Sequence, residues 1–359
     1  MFVYELVYGL IILGVLISFF CKKRNKFPLL YWLIVIVLIL VVALRDQTMG
    51  PDTYNYLDYF VRPHNNLTKY QDNELEPGIT ILNDIINLVV SDKYVYSFII
   101  SVLSLLPIFI LIYKRSKNRY LSLFLFVSFS VGASLFILSF SMMRQFLALG
   151  LWALLINCYM QNGEKIDRKC ISLFVMMCFF HSSSLIVLLL LLIRKRMISK
   201  KIYFVSIISS VLIGFVIHKL MPLFLLLAIA IGKGFYFRTL NDDWSYSIIP
   251  TIPYVGLLLT MIYILPLKLC NHYYIKGLFL AVIIGNIMSF GNNVDRMCTY
   301  FYLLSILAIP YFFQQKCNKV IKFILLILIL GYFSYKYWNT LFIMDNEVWD
   351  IVPYRSFLD

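Results

Sequence analysis

Apolar runs long enough to cross a bilayer recur along this chain, and no other feature narrows its fold as much. About 20 residues of helix cover the roughly 30 Å of hydrocarbon in a membrane. Runs near that length lie at about 2–20, 29–44, 94–113, 120–138, 141–160, 202–220, 250–268, 277–291, 298–314 and 320–337. With 61% hydrophobic and only 14% charged residues, the 359-residue chain lacks the polar surface of a soluble domain. The predicted fold is all-α. It is a polytopic integral membrane protein with about 10–12 transmembrane or re-entrant helices, forming one membrane domain over residues 1–359. Met1–Phe20 is apolar from its start and lacks a basic leading segment, so it reads as a first span rather than a cleaved signal.

A net charge of +14 would point to nucleic acid in a soluble protein. Here placement decides, because most of the 32 basic residues gather in short loops, as at Lys22–Lys26, Lys114–Arg119, Lys165–Lys169 and Arg194–Lys201, with Lys268, Lys276, Lys316, Lys319 and Lys322. Such loops stay in the cytoplasm. That places both termini outside and makes the lipid bilayer, not nucleic acid, the partner. Basic clusters flank Cys170–Ile193 at both ends. A hairpin bent at His181-Ser182-Ser183 keeps both inside, so two short helices meeting in the outer half of the membrane are expected there.

Two outer segments are then long, 45–93 and 221–249. In the first, Gly50-Pro51-Asp52 makes a turn, and Asp52 caps a helix carrying Tyr56, Tyr59 and Phe60. Pro77-Gly78 precedes a helix whose apolar face, Ile79, Leu82, Ile85/Ile86 and Val89, is expected to lie on the membrane, with Asn83 and Asn87 on its polar side. In the second, Pro222–Ile231 is too short to span and is expected to be re-entrant or interfacial, while Asp242 and Asp243 read as solvated. The Trp- and Tyr-rich tail, Tyr335–Asp359, reads as an outer-interface anchor.

Every cytoplasmic loop is short, with neither a P-loop nor GxGxxG, which argues against ATP-driven transport and against use of cytoplasmic sugar nucleotides. The seven cysteines form no CxxC and no Cys/His grouping, so neither a metal nor a cofactor is expected. What remains is a set of polar residues that the topology brings to one membrane level. Arg45 and Asp46 end the second span, and Asp52 and Glu76 lie in the first outer segment. Arg144-Gln145 opens the fifth span, His181 sits at the bend, and Asn292, Asn293, Asp295 and Arg296 open a late span. An arginine at mid-bilayer costs about 2.5 kcal/mol or more. Three at one outer boundary suit a lipid-linked phosphate or diphosphate, because guanidinium forks bind phosphoryl oxygens in pairs and stay charged when partly desolvated.

In chain order, Arg45, Gly50, Asp52 and Tyr56 form R-x4-G-x-D-x3-Y, and Glu76 and Gly78 form E-x-G. Arg144-Gln145, Phe180-His181 and an R-x3-Y at Arg296 and Tyr300 follow. Together they resemble the EpsG-like branch of the Wzy-type polysaccharide polymerases, over nearly the whole chain. Ser141-Met142-Met143 departs from the pattern, where the family often carries an Asn before the arginine. The resemblance implies a glycosyltransferase of the bacterial cytoplasmic (inner) membrane, its active site facing the periplasm or cell exterior. It would lengthen O-antigen, capsule or exopolysaccharide from undecaprenyl-pyrophosphate-linked repeat units, with room for a chain-length regulator as a further partner. On this reading His181 is the expected base, with Asp52 or Glu76 as the alternative. Arg144 and Arg296 meet the pyrophosphate, Arg45 orients the acidic loop or the donor, and Gln145, Asp295 and Tyr300 complete the substrate contacts. An O-antigen ligase or a flippase of lipid-linked glycans is the other expectation.

Overall fold

A computed structural model describes residues 2–20, 27–61, 76–129, 133–230, 247–288, 294–343 and 350–358. The fold is all-α, with no strand among these residues. Six of the described helices are long and apolar enough to cross a membrane, and shorter apolar helices accompany them. In chain order the helices are α1 (Phe2–Phe20), α2 (Pro28–Ala43), α3 (Thr53–Val61), α4 (Pro77–Asn87), α5 (Lys93–Arg115), α6 (Arg119–Ser128), α7 (Leu135–Leu138) and α8 (Met143–Gln161). They continue with α9 (Arg168–Phe180), α10 (Leu188–Ile193), α11 (Lys200–Ala230), α12 (Ile252–Ile264), α13 (Leu267–Cys270), α14 (Tyr273–Ile287), α15 (Val294–Gln314) and α16 (Lys319–Asn339).

The chain divides into two compact units. One holds Met1–Phe129, Ala133–Leu185 and Lys322–Asp359, and the other Ser130–Gly132 and Ile186–Ile321. In the first, α5 packs on α8 and α2, α8 packs on α9, and α1 packs on α6. Local chemistry sets the ends of these helices. The Asp92 carboxylate accepts from the Tyr94 and Val95 amides at 2.8 and 2.9 Å to start α5. Asp167 does the same for α9 through Cys170 N at 2.8 Å. Such caps satisfy amides that the helix itself leaves unbonded. The tail at 350–358 straps the loop after α2: Asp46 N donates to Arg355 O at 3.0 Å, Phe357 N donates to Leu44 O at 3.2 Å, and Phe357 stacks on Tyr94 at 4.3 Å.

In the second unit, α14 and α15 form the tightest pair, and α11 lies along α14. Asn286 Nδ2 donates to Ser210 Oγ at 2.9 Å across that contact. Lys276, expected as a loop charge, is buried within α14. Its ammonium donates to the carbonyls of Ile193, Arg194 and Arg196 at 3.0, 2.8 and 2.7 Å. A cation on the last carbonyls of α10 offsets the negative end of that helix.

Four local expectations need correction. The run 120–138 is two helices, because Ser134 caps α7 through Ile137 N at 3.3 Å. The helix α11 does not end near Leu220 but runs through Pro222 to Ala230. A missing amide is tolerated within a hydrocarbon environment where neighbouring groups take over the freed carbonyl. Asn83 lies not on an outer polar face but buried beside Ile79 and Ile86. These two isoleucines join Leu57, Phe60, Tyr96, Ile100, Met143 and Leu147 in one apolar core, while Ile85 and Val89 are exposed. Because α4 is apolar on two sides, periodicity alone did not select the packed one. Asp242 and Asp243, Asn292 and Asn293, and the stretch 62–75 of the first outer segment lie outside the described residues, as does the Asp295 side chain.

Candidate active site

The expected polar residues of the first unit come from four elements that meet. Glu76 sits at the N-cap of α4, Arg144 in the first turn of α8, His181 at the end of α9, and Asp52 and Tyr56 at the start of α3. Two glycines make the meeting possible. Gly50 adopts φ +83°, and a Cβ there would lie 2.7 Å from the Phe140 carbonyl oxygen. Only glycine takes that backbone shape and that proximity without strain. A Cβ at Gly78 would lie 2.7 Å from the Phe179 oxygen and 3.0 Å from Phe180 N. Bare backbone therefore rests on bare backbone, one residue before His181 on one side and two residues after Glu76 on the other. Gly78→Ala is expected to force α4 off α9 and to destabilise the fold by about 1–3 kcal/mol, the usual cost of overpacking. Thermal unfolding of the purified variant checks this.

The Glu76 carboxylate is the centre of the site. Its Oε2 is ion-paired with Arg144 Nη1, and its Oε1 lies 2.9 Å from His181 Nδ1. Arg144 Nε also donates to Tyr56 Oη at 3.0 Å. Side-chain exposures of 16% for Glu76, 20% for His181 and 24% for Arg144 leave all three partly open. Burial pushes the Glu76 carboxyl up, but the hydrogen bond to His181 and the charge of Arg144 outweigh it and hold it below its ordinary 4.5. An ionised carboxylate only accepts, so Nδ1 carries the hydrogen in this bond and the neutral ring presents its lone pair at Nε2. The geometry thus supplies a cation able to grip an oxyanion beside an imidazole oriented to receive a proton.

Asp52 lies next to this group, where Ser141 Oγ donates to its Oδ2 at 3.2 Å. Ser141, which departs from the family pattern, is therefore the hydroxyl that fixes Asp52. Thr53 Oγ1 donates to the Phe140 carbonyl at 2.7 Å and accepts from Arg45 Nε at 3.4 Å. Arg45 is only 1% exposed. It also donates to the Val42 carbonyl and to Ser101 Oγ, and burial pulls its pKa down to about 10. Its guanidinium braces the loop from inside, so headgroup contact in this unit falls to Arg144. Gln145 is buried within α8. Arg296 and Tyr300 belong to α15 of the second unit, where Arg296 is exposed and Tyr300 is buried.

Sequence reasoning collected Glu76, Arg144 and His181 without pairing them, and it assigned Tyr56 to sugar stacking rather than to Arg144. The signal for the pairing was the glycine two residues after Glu76, which marks a close backbone approach. Comparison with known proteins adds one match: the EpsG family model aligns with residues 29–356. No curated protein matches, and no solved structure matches.

Proposed function

The chain belongs to the EpsG family, a Wzy-like polymerase family, and on that premise we propose that it extends a surface polysaccharide at the outer face of the bacterial cytoplasmic membrane. The donor is a glycan on undecaprenyl diphosphate, and the acceptor is a hydroxyl of another lipid-linked repeat. The acceptor oxygen forms a bond to the anomeric carbon as the bond from that carbon to the diphosphate oxygen breaks. The electron pair leaves with the lipid diphosphate, and the hydroxyl proton passes to His181 Nε2. Arg144 stabilises the charge that grows on the leaving diphosphate, Glu76 holds the imidazole in the receiving tautomer, and general-base help of this kind contributes ~10²–10⁴-fold. The observation that carries this reading is the single carboxylate shared by Arg144 and His181.

The test is turnover by the purified full-length protein in liposomes supplied with lipid-linked repeats alone. The expected result is a ladder of products, with one lipid diphosphate released per linkage formed. Movement of the lipid across the bilayer without chain growth, or transfer only to a lipid A-core acceptor, would replace this reading by a flippase or a ligase.

A further inference from the structure

Two apolar rows lead away from the polar group. On α4, Pro77, Ile81, Ile85 and Leu88 are all exposed, and their three- and four-residue spacing puts them on one stripe. On α9, Ile171, Val175 and Phe179 recur every fourth residue and are also exposed. The first row begins beside Glu76, and the second ends two residues before His181. The two helices touch where Gly78 lies against the Phe179 backbone, so the rows start from one point, at the site.

The α4 row is not needed to hold its helix. The opposite stripe, Ile79 and Ile86, already packs into the core with Phe60, Tyr96 and Ile100. Leu88 is 85% exposed, an expensive surface to leave to water. From the proposed function, on which this inference rests, the donor's tail is joined directly to the diphosphate. With the diphosphate at Arg144, the first isoprene units must lie on apolar surface within a bond or two of that residue. The rows starting at Pro77 and Phe179 provide it. We infer that the exposed stripes of α4 and α9 form the track on which the polyprenyl tail of the donor lies, its diphosphate end at Glu76 and Arg144 and its distal units toward Leu88 and Ile171.

The stripe from Pro77 to Leu88 extends ~16 Å along the helix axis, so a two-isoprene tail reaches Ile81 but not Leu88. The test measures KM of the full-length protein in nanodiscs for two donors with the same glycan, one bearing a two-isoprene tail and one a full-length polyprenyl tail. The wild type is expected to prefer the long tail. Leu88→Ser is expected to erode that preference about tenfold through KM, whereas Ile81→Ser raises KM for both donors. Both side chains are exposed, and a monodisperse elution profile confirms that each variant is folded. Equal shifts for both donors in Leu88→Ser, or no shift, would overturn the track while leaving polymerisation intact. A wild type that lengthens neither donor would overturn the function itself, and the track with it.

Discussion

Arg144→Ala is expected to remove long-chain polymer while single repeats still reach the cell surface. The reason is where the charge develops. As the glycosidic bond to the diphosphate breaks, negative charge grows on the leaving oxygen, and Arg144 is the partly exposed cation of this group. Losing one preorganised donor to a developing oxyanion costs about 10²–10³-fold in rate. The substitution also leaves Tyr56 and Glu76 without their guanidinium partner. Because chain length depends on many successive transfers, a loss of that size at each step leaves only short products. Arg144→Lys is expected to recover part of the rate, since it keeps the charge but not the planar fork. Gel analysis of surface polysaccharide reads the result, and normal chain lengths in Arg144→Ala would refute the assignment.

The second large effect is expected at Glu76. In Glu76→Gln the amide oxygen can still accept from His181, but the negative charge facing Arg144 is gone and the amide hydrogens oppose the guanidinium. The imidazole is then held in the wrong tautomer or not at all, and kcat is expected to fall ~10²-fold or more. Stability should follow pH with a definite sign. The Glu76 carboxyl lies below its ordinary 4.5 in the folded protein, so its ion pair stabilises the fold fully above that value. The contribution fades as pH falls below 4.5 through the depressed folded value. The difference in melting temperature between wild type and Glu76→Gln is therefore expected to be constant near neutrality and to close in acid. A difference that widened as pH fell would reverse the sign and contradict the bridge.

Much of the architecture was legible because a membrane leaves few choices. Apolar runs must be helices there, and the fifth expected span, 141–160, matches α8 within two residues. The break at His181 was legible too, since basic clusters on both sides of a short apolar run ask for a bend. Less legible was anything decided by packing between apolar surfaces. Ile79 and Ile85 have the same chemistry, and only the Gly78 contact with α9 decides which of them enters the core. Lys276 looked like a loop charge because nothing in its neighbourhood announces that three carbonyls from 193–196 await it. At the site, the residue types could be gathered by order and topology. Their pairing could not, because residues 76, 144 and 181 are joined by tertiary contacts alone. Arg45 shows the same limit: its type suited a headgroup, and its burial makes it a strut.

The central claim is that Arg144 and His181 act as one unit through the carboxylate they share. A double-mutant cycle in the reconstituted enzyme tests it most directly, comparing kcat/KM for Arg144→Ala, His181→Ala and the combined variant. Groups that work as a unit are strongly non-additive. The expected result is a combined variant no more than a few-fold slower than the worse single one. Losses that multiply, with each substitution costing its full factor in the presence of the other, would mean that the cation and the imidazole serve separate tasks.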